Sequence, residues 1–179
     1  SLYAPHFYAF ELRLSPCRRF SLTKKQQFKI KETLKDFKCL APRFNQIKDN
    51  PRLVRSFCSR NRNPLFDITN IKYFSTGLKS KGVLENTTDE KVTKDHFIQR
   101  SLSMKLIFSE ITKNPKMSTK KFIELITKYS STVEVLRSEH KKIGVTTRGT
   151  QLYNFRVYDE VGIEVDGLDE HLKLIGLVK

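Results

Sequence analysis

The sequence predicts an α+β fold: a small domain of two helices packed on a short, mainly antiparallel sheet, with an extended basic N-terminal arm. Two stretches with helical spacing of apolar residues are followed by stretches that alternate as strands do. A length of 179 residues fits one domain with an extension. The periodic pattern begins only near Gly82, so residues 1–80 are assigned to the extension and residues 81–179 to the domain.

One short helix is predicted inside the extension. Thr23 and Gln26 have the spacing of a capping box. Apolar residues follow at helical spacing at Ile30, Leu34 and Phe37. The pattern predicts a basic amphipathic helix over roughly 23–38 that stops before Pro42.

Two helices are predicted at the start of the domain. Thr87 and Glu90 form a second possible capping box, and Asn114-Pro115 ends the run behind it. Its apolar positions are Phe97, Ile98, Leu102, Leu106, Ile107 and Ile111. Ser118 caps the next helix, whose apolar face is Phe122, Ile123, Leu125, Ile126 and Tyr129.

The remaining pattern predicts the sheet. Residues 132–136 alternate as a short strand, and a basic loop (137–149) leads into a long strand (150–158). The turn at 159–162 returns the chain into 163–165 as a hairpin. Tyr153, Phe155 and Val157 share one strand face, which we assign to the core. Residues 168–175 fit either a short helix or the lead-in to a last strand.

The net charge of +15 is the most informative global property. Such an excess attracts polyanions, so nucleic acid or an anionic membrane surface is the expected class of partner. The charge is uneven: residues 1–80 carry 17 Lys or Arg against 5 Asp or Glu, whereas residues 151–179 carry 3 against 6.

The extension also has the composition of an organellar transit peptide, with few acids, many Arg and Ser, and a basic amphipathic segment. The strings Arg18-Arg19-Phe20-Ser21 and Lys72-Tyr73-Phe74-Ser75-Thr76 both resemble the ends of mitochondrial presequences. The prediction is import into the mitochondrial matrix. The alternative is a basic arm that stays on the protein and contacts its partner.

No reaction is predicted. The three cysteines are widely spaced, and the four histidines show neither metal-ligand spacing nor a catalytic motif. The sequence therefore predicts a non-enzymatic protein with no cofactor, no metal site and no small-molecule substrate.

The order of two helices and a hairpin fits a winged helix-turn-helix, in which a basic helix enters a nucleic-acid groove and the hairpin touches phosphate. A basic loop of this kind can also insert into structured RNA. The predicted nucleic-acid contacts are Lys120, Lys121, Lys128, Arg137, Lys141, Lys142 and Arg148. A solvated lysine face on a generic α+β domain is the alternative.

One resemblance bears on the partner. The run from Phe155 to Val165, followed by Leu168–Leu174, resembles the opening hairpin and helix of the N-terminal domain of bacterial-type translation initiation factor 3. It covers about 20 of the 179 residues, and its spacing departs from the family after Gly162. The resemblance implies a link to the translation machinery.

The function predicted from the sequence is a basic mitochondrial protein working inside an RNA-containing assembly, either as a mitoribosomal subunit or as a translation-associated factor. Its expected partners are RNA, in the first place ribosomal RNA, and neighbouring proteins of the assembly. Two alternatives stay open: an accessory subunit of a respiratory or other mitochondrial membrane complex, and a winged-helix DNA-binding protein.

Overall fold

The computed structural model describes residues 21–147 and 153–178, and these residues form an α+β fold with helices packed on a short sheet. The helices of this part are α1 (Lys24–Ile47), α2 (Pro51–Asn61), α3 (Asn63–Thr69), α4 (Lys81–Leu84), α5 (Arg100–Lys113), α6 (Thr119–Ser130), α7 (Arg137–Thr146) and α8 (Leu168–Leu174). The strands are β1 (Ser75–Lys79), β2 (Val92–His96) and β3 (Thr132–Leu136).

Helix α1 begins where the sequence predicts and runs further. Thr23 and Gln26 form the predicted capping box, with the Gln26 amide donating to the Thr23 hydroxyl at 3.2 Å. The predicted stop before Pro42 is wrong, because Pro42 lies inside the helix. Its apolar stripe continues on both sides of the proline at Ile30, Leu34, Phe37, Ala41 and Phe44. Burial of this stripe offsets the hydrogen bond that a proline removes.

The prediction of an extended arm with one short helix is wrong for the described residues before 80. Helices α2 and α3 follow α1 directly, and each has a proline at its first or second position. Phe57 of α2 lies 5.8 Å from Phe44 of α1, ring centroid to ring centroid. Pro51 and Pro64 therefore mark helix starts. Residues 1–20 lie outside the described part.

The sheet is mixed, which corrects the prediction of a mainly antiparallel one. Its order is β1-β3-β2, with β3 parallel to β1 and antiparallel to β2. Ser75 pairs with Thr132 on one side, and Thr132 pairs with His96 on the other. Strand β3 has the predicted bounds and is the central strand.

Helices α5 and α6 lie between β2 and β3 in the chain. Ser118 caps α6 as predicted, since its hydroxyl accepts a hydrogen bond from the Lys121 amide at 3.1 Å. The predicted cap of Thr87 and Glu90 is wrong, because β2 follows it and α5 begins only at Arg100. The carboxylate of Glu90 instead accepts from the Ser138 amide at 2.6 Å, so its partner lies on α7.

The predicted basic loop is helical as far as it is described, since α7 spans Arg137–Thr146. The predicted strand 150–158 is also wrong where it is described. Tyr153 makes an isolated bridge to Ile98, and two 3₁₀ turns follow, Asn154–Val157 and Asp159–Val161.

No hairpin forms between residues 153 and 165 of the described chain. The turn at Gly162 is real, with φ of 73°, but it leads to a single bridge between Val165 and Ser80. The described chain therefore lacks the wing of a winged helix. Residues 168–174 are the short helix α8, which settles the alternative left open by the sequence.

Buried apolar residues form two clusters. The helical cluster joins α1, α2, α3, α5 and α6. The sheet cluster joins the sheet to α7, α8 and the two 3₁₀ turns. Tyr129, at the end of α6, packs against both. Tyr153 and Phe155 pack against the sheet cluster and Val157 lies inside it, so the prediction that they face the core is confirmed.

Candidate nucleic-acid interface

The predicted contact residues on α6 are on the surface. Lys120 and Lys121 lie in its exposed first turn, where the Lys121 ammonium is 3.1 Å from the carboxylate of Glu124. Lys128 is half-buried, with its ammonium 5.7 Å from the ring centroid of Tyr129. Two of these lysines thus have partners within their own helix.

The predicted contact residues on α7 form a second group. Arg137, Lys141 and Lys142 are all exposed. Lys141 and Lys142 border a shallow groove of about 640 Å³, together with Ser138, Val145, Thr146, Glu160, Val161 and Gly162. Helix α7 packs on β2 and β3, whereas α6 packs on α1 and α5. The seventh predicted residue, Arg148, lies outside the described residues.

A third basic surface, which the sequence-based site omits, lies on α2. Arg52, Arg55 and Arg62 are spaced so that they share one side of the helix, and all three are exposed. The opposite side is buried through Val54, Phe57 and Cys58. The packing of α2 against its neighbours therefore fixes which way the arginines point.

Arg100 extends this surface onto α5. Its guanidinium stacks over the ring of Phe66, 4.3 Å from the centroid. The pKa of Arg100 is lowered, first by partial burial and then by the positive charge of Arg62, while the charge of Asp95 acts to raise it. We call Arg52, Arg55, Arg62 and Arg100 the arginine face.

The arginine face has few acidic neighbours. Helix α2 contains no Asp or Glu, and the three arginines of α2 and its cap make no ion pair within the described residues. Lysines elsewhere differ, since Lys79 and Lys113 lie 3.4 Å and 2.9 Å from Glu134 and Glu110. Guanidinium groups without a protein counter-ion are available for phosphate, which they bind in a fork geometry.

The signal for the arginine face is present in the sequence. The run from Arg52 to Arg62 has arginines at helical spacing between apolar residues at 54, 57 and 58. The composition of the same segment also fits a targeting signal, and that interpretation does not use the helical spacing. The approach of Arg100 to Arg62 depends on how α5 packs against α2 and has no sequence signal.

A buried polar cluster lies in the sheet cluster around Asp95, which is 2% exposed. The Tyr158 hydroxyl donates to its carboxylate at 2.6 Å, and the Asn154 amide nitrogen donates at 3.2 Å. Nε2 of the half-exposed His140 lies 3.5 Å from the same carboxylate. The cluster joins β2, α7 and the first 3₁₀ turn.

Burial controls the titration of this cluster. It raises the pKa of Asp95 to about 6, although the Tyr158 hydrogen bond and the charge of His140 act to lower it. Burial and the charge of Asp95 together hold the pKa of Tyr158 well above its usual value. The neighbouring His96 has its pKa lowered to about 4, mainly by burial, while its Nδ1 lies 3.2 Å from the Ser130 carbonyl oxygen.

The polar cluster was compared with two common kinds of reactive site, a nucleophile activated by histidine and a metal centre. No serine, threonine or cysteine is hydrogen-bonded to His140 within the described residues, so the pair lacks an activated nucleophile. No group of three or more His, Cys, Asp or Glu side chains in the described ranges could hold a metal ion. The cluster acts as a polar tie between elements.

Among the helices of residues 21–147 and 153–178, none is both long enough and apolar enough to span a bilayer. Searches with family models, against curated proteins and against solved structures found no match for the chain.

Proposed function

We propose that the protein is a non-enzymatic RNA-binding component of a larger ribonucleoprotein assembly, and that the assembly is the mitochondrial ribosome or a translation complex attached to it. The arginine face is the observation that carries the proposal. Three exposed arginines on one side of α2 and its cap, with Arg100 on α5, form a cationic strip in which the arginines of α2 and its cap make no ion pair within the described residues.

The strip suits a phosphate backbone. Arginine forks bind phosphate oxygens in pairs, and a rigid helix holds successive forks at fixed spacing. RNA helices are recognised mainly by their shape and phosphates, which a fixed row of arginines can follow. Arg137, Lys141 and Lys142 on α7 supply a second basic surface for the same polyanion.

The mitochondrial part of the proposal rests on composition. Removal of a presequence at Ser75 would delete α1, α2 and α3, which supply much of the helical cluster. The proposal therefore uses the earlier junction, Arg18-Arg19-Phe20-Ser21, which precedes the first described helix.

The first prediction tests RNA binding through the arginine face. Replacing Arg52, Arg55 and Arg62 together by Ala should lower affinity for a structured RNA, measured by fluorescence anisotropy over a series of salt concentrations. Each lost phosphate contact reduces the slope of log K against log salt by roughly 0.7 to 0.9, so the magnitude of the slope should fall by roughly 2.1 to 2.7 in the triple variant.

The control removes the same charge elsewhere. Lys79, Lys81 and Lys113, which pair with Glu134, Glu164 and Glu110, are replaced together by Ala and should leave the slope nearly unchanged. Equal losses in both variants would contradict a site on α2. Wild-type protein that neither binds RNA nor co-sediments with ribosomal particles would overturn the proposed function, and recovery with a membrane complex after nuclease treatment would replace it.

A further inference from the structure

Phe28 is an aromatic side chain on the outer surface of α1, and it is 66% exposed. The buried stripe of α1, which includes Ile30 and Phe37, lies on the other side of the helix. Phe28 therefore contributes little to the helical cluster. Its exposed fraction is the largest among the large apolar side chains of the described residues.

Lysines lie on the same side of α1 as Phe28, together with one acid, Glu32, one turn after it. Lys24 and Lys31 lie one turn before and one turn after it, and Lys35 lies two turns after it. All three lysines are exposed. Lys24 and Lys31 make no ion pair in the described part of the chain, and Lys35 makes only a long one of 3.9 Å to Glu32.

An exposed ring between two cations matches the chemistry of an unpaired nucleotide. Proteins hold single strands by stacking bases on aromatic side chains while basic side chains follow the phosphates. Bases inside a duplex are stacked on one another, so their faces cannot reach an external ring. We infer that Phe28, Lys24 and Lys31 form a single-stranded RNA contact, with one base stacked on Phe28 and the adjacent phosphates on the lysines.

This inference rests on the proposed function and adds the class of RNA: a single-stranded segment beside the structured part that the arginine face would hold. The two surfaces differ in physical character. The arginine face acts through charge and should weaken steeply with salt, whereas stacking on Phe28 should persist at high salt.

The experiment uses the absence of tryptophan from the sequence. Phe28→Trp introduces the only tryptophan of the chain, whose emission can be excited apart from that of the tyrosines, and a 12-nucleotide oligouridine is the single-stranded probe. Stacking of a base should quench the tryptophan emission in proportion to the amount of RNA bound. A blunt duplex of the same length should leave the tryptophan emission unchanged. Leu84→Trp, at another exposed apolar position (62% exposed), is the matched control and should show no quenching.

Affinity gives the second measurement. Phe28→Ala should weaken binding of oligouridine by about 5- to 150-fold, the range that corresponds to loss of one stacked base. Phe28→Tyr should keep most of the affinity, and Phe28→Leu should not, because it restores apolar area without a ring.

Each failure points to a different step. If Phe28→Ala binds oligouridine as the wild type does while the arginine variant loses RNA, the proposed function stands and the Phe28 contact is wrong. If Phe28→Ala loses only its binding to vesicles of phosphatidylcholine and phosphatidylserine, the surface is a membrane contact and the inference is overturned. If the wild type binds no RNA, the proposed function itself fails.

Discussion

The helical cluster and the sheet cluster are stabilised by different kinds of interaction. In the helical cluster Phe108 packs against Phe37 and Phe57 at 4.8 and 5.0 Å between ring centroids. In the sheet cluster the buried carboxyl of Asp95 is held by Tyr158, Asn154 and His140. Stability in the first comes from apolar area and ring packing, and in the second it depends on keeping polar groups satisfied.

On the surface the contrast is narrower. The arginines at 52, 55 and 62 make no ion pair within the described residues. Lysines pair with acids in both parts, as Lys81 does with Glu164 at 3.4 Å beside the sheet and Lys113 does with Glu110 at 2.9 Å on α5.

The strongest test of the contrast is Phe108→Ala. Phe108 is fully buried among aromatic neighbours, so its truncation should lower the free energy of unfolding by about 3–5 kcal/mol, measured by urea denaturation. Leu84→Ala, at an exposed site, should change it by less than about 0.5 kcal/mol. A loss below about 1 kcal/mol at Phe108 would mean that the rings do not pack as described.

A smaller loss of stability is expected where α7 joins the sheet. The Glu139 carboxylate accepts from the Ser80 hydroxyl at 2.6 Å and from the Leu136 amide at 2.8 Å. Glu139→Ala leaves both donors without this acceptor and should cost about 1–3 kcal/mol in urea denaturation. Glu139→Gln keeps an oxygen acceptor and should cost less. Equal losses would contradict a role for these hydrogen bonds.

The most discriminating test concerns pH. Asp95 has a raised pKa of about 6, so its folded state binds a proton more readily than the unfolded chain, and its stabilising contribution is lost as pH rises from about 4 to 6. His96 has a lowered pKa of about 4, so its contribution is lost as pH falls from about 6.5 to 4. The two slopes oppose each other, and the wild type should show little net change over this window.

Asp95→Asn removes one side of this balance. The stability of the variant should fall on acidification from pH 6 to pH 4, by up to about 1.4 kcal/mol per pH unit more steeply than that of the wild type. Asp166→Asn, at an exposed carboxyl, is the control and should follow the wild-type curve. Parallel curves for Asp95→Asn and wild type would show that Asp95 does not titrate in this range.

Local signals were sufficient for part of the fold. The α+β class, strand β3, the Ser118 cap of α6 and the Thr23 cap of α1 could all be predicted from residues within a few positions of each element. Strand β3 was recognisable because Val133 and Val135 alternate with half-buried neighbours. In these elements the local sequence preference agrees with the tertiary contacts, so the local pattern was enough to predict them.

Elements whose pattern is completed by distant residues could not be predicted. Strand β1 contains Gly77 and has weak alternation, and its partner β3 lies more than 50 residues away. The run 153–158 alternates as a strand does, yet Tyr158 and Asn154 turn inward to reach Asp95. The buried carboxylate of Asp95 needs these two donors, and this need overrides the strand pattern. The residues next to Tyr158 and Asn154 in the sequence give no sign of it.

The candidate site shows the same division. The basic character of α6 and α7 was readable from sequence, whereas the arginine face required α2 to be recognised as a packed helix. Pro51 and Pro64 lie in the first turns of α2 and α3, a position that proline favours because its missing N–H is not needed there.

The central position of β3 has a consequence for the order in which the chain can assemble. Strands β1 and β2 both pair with β3 and do not pair with each other. During synthesis they emerge first and have no hydrogen-bonding partner until Thr132–Leu136 has also emerged. Helices α5 and α6 are made in that interval and rely on contacts with α1 and α2, which already exist. The helical region can thus be formed on the nascent chain while the sheet waits, and the long-range closure of β1 onto β3 is the slow step expected from its sequence separation.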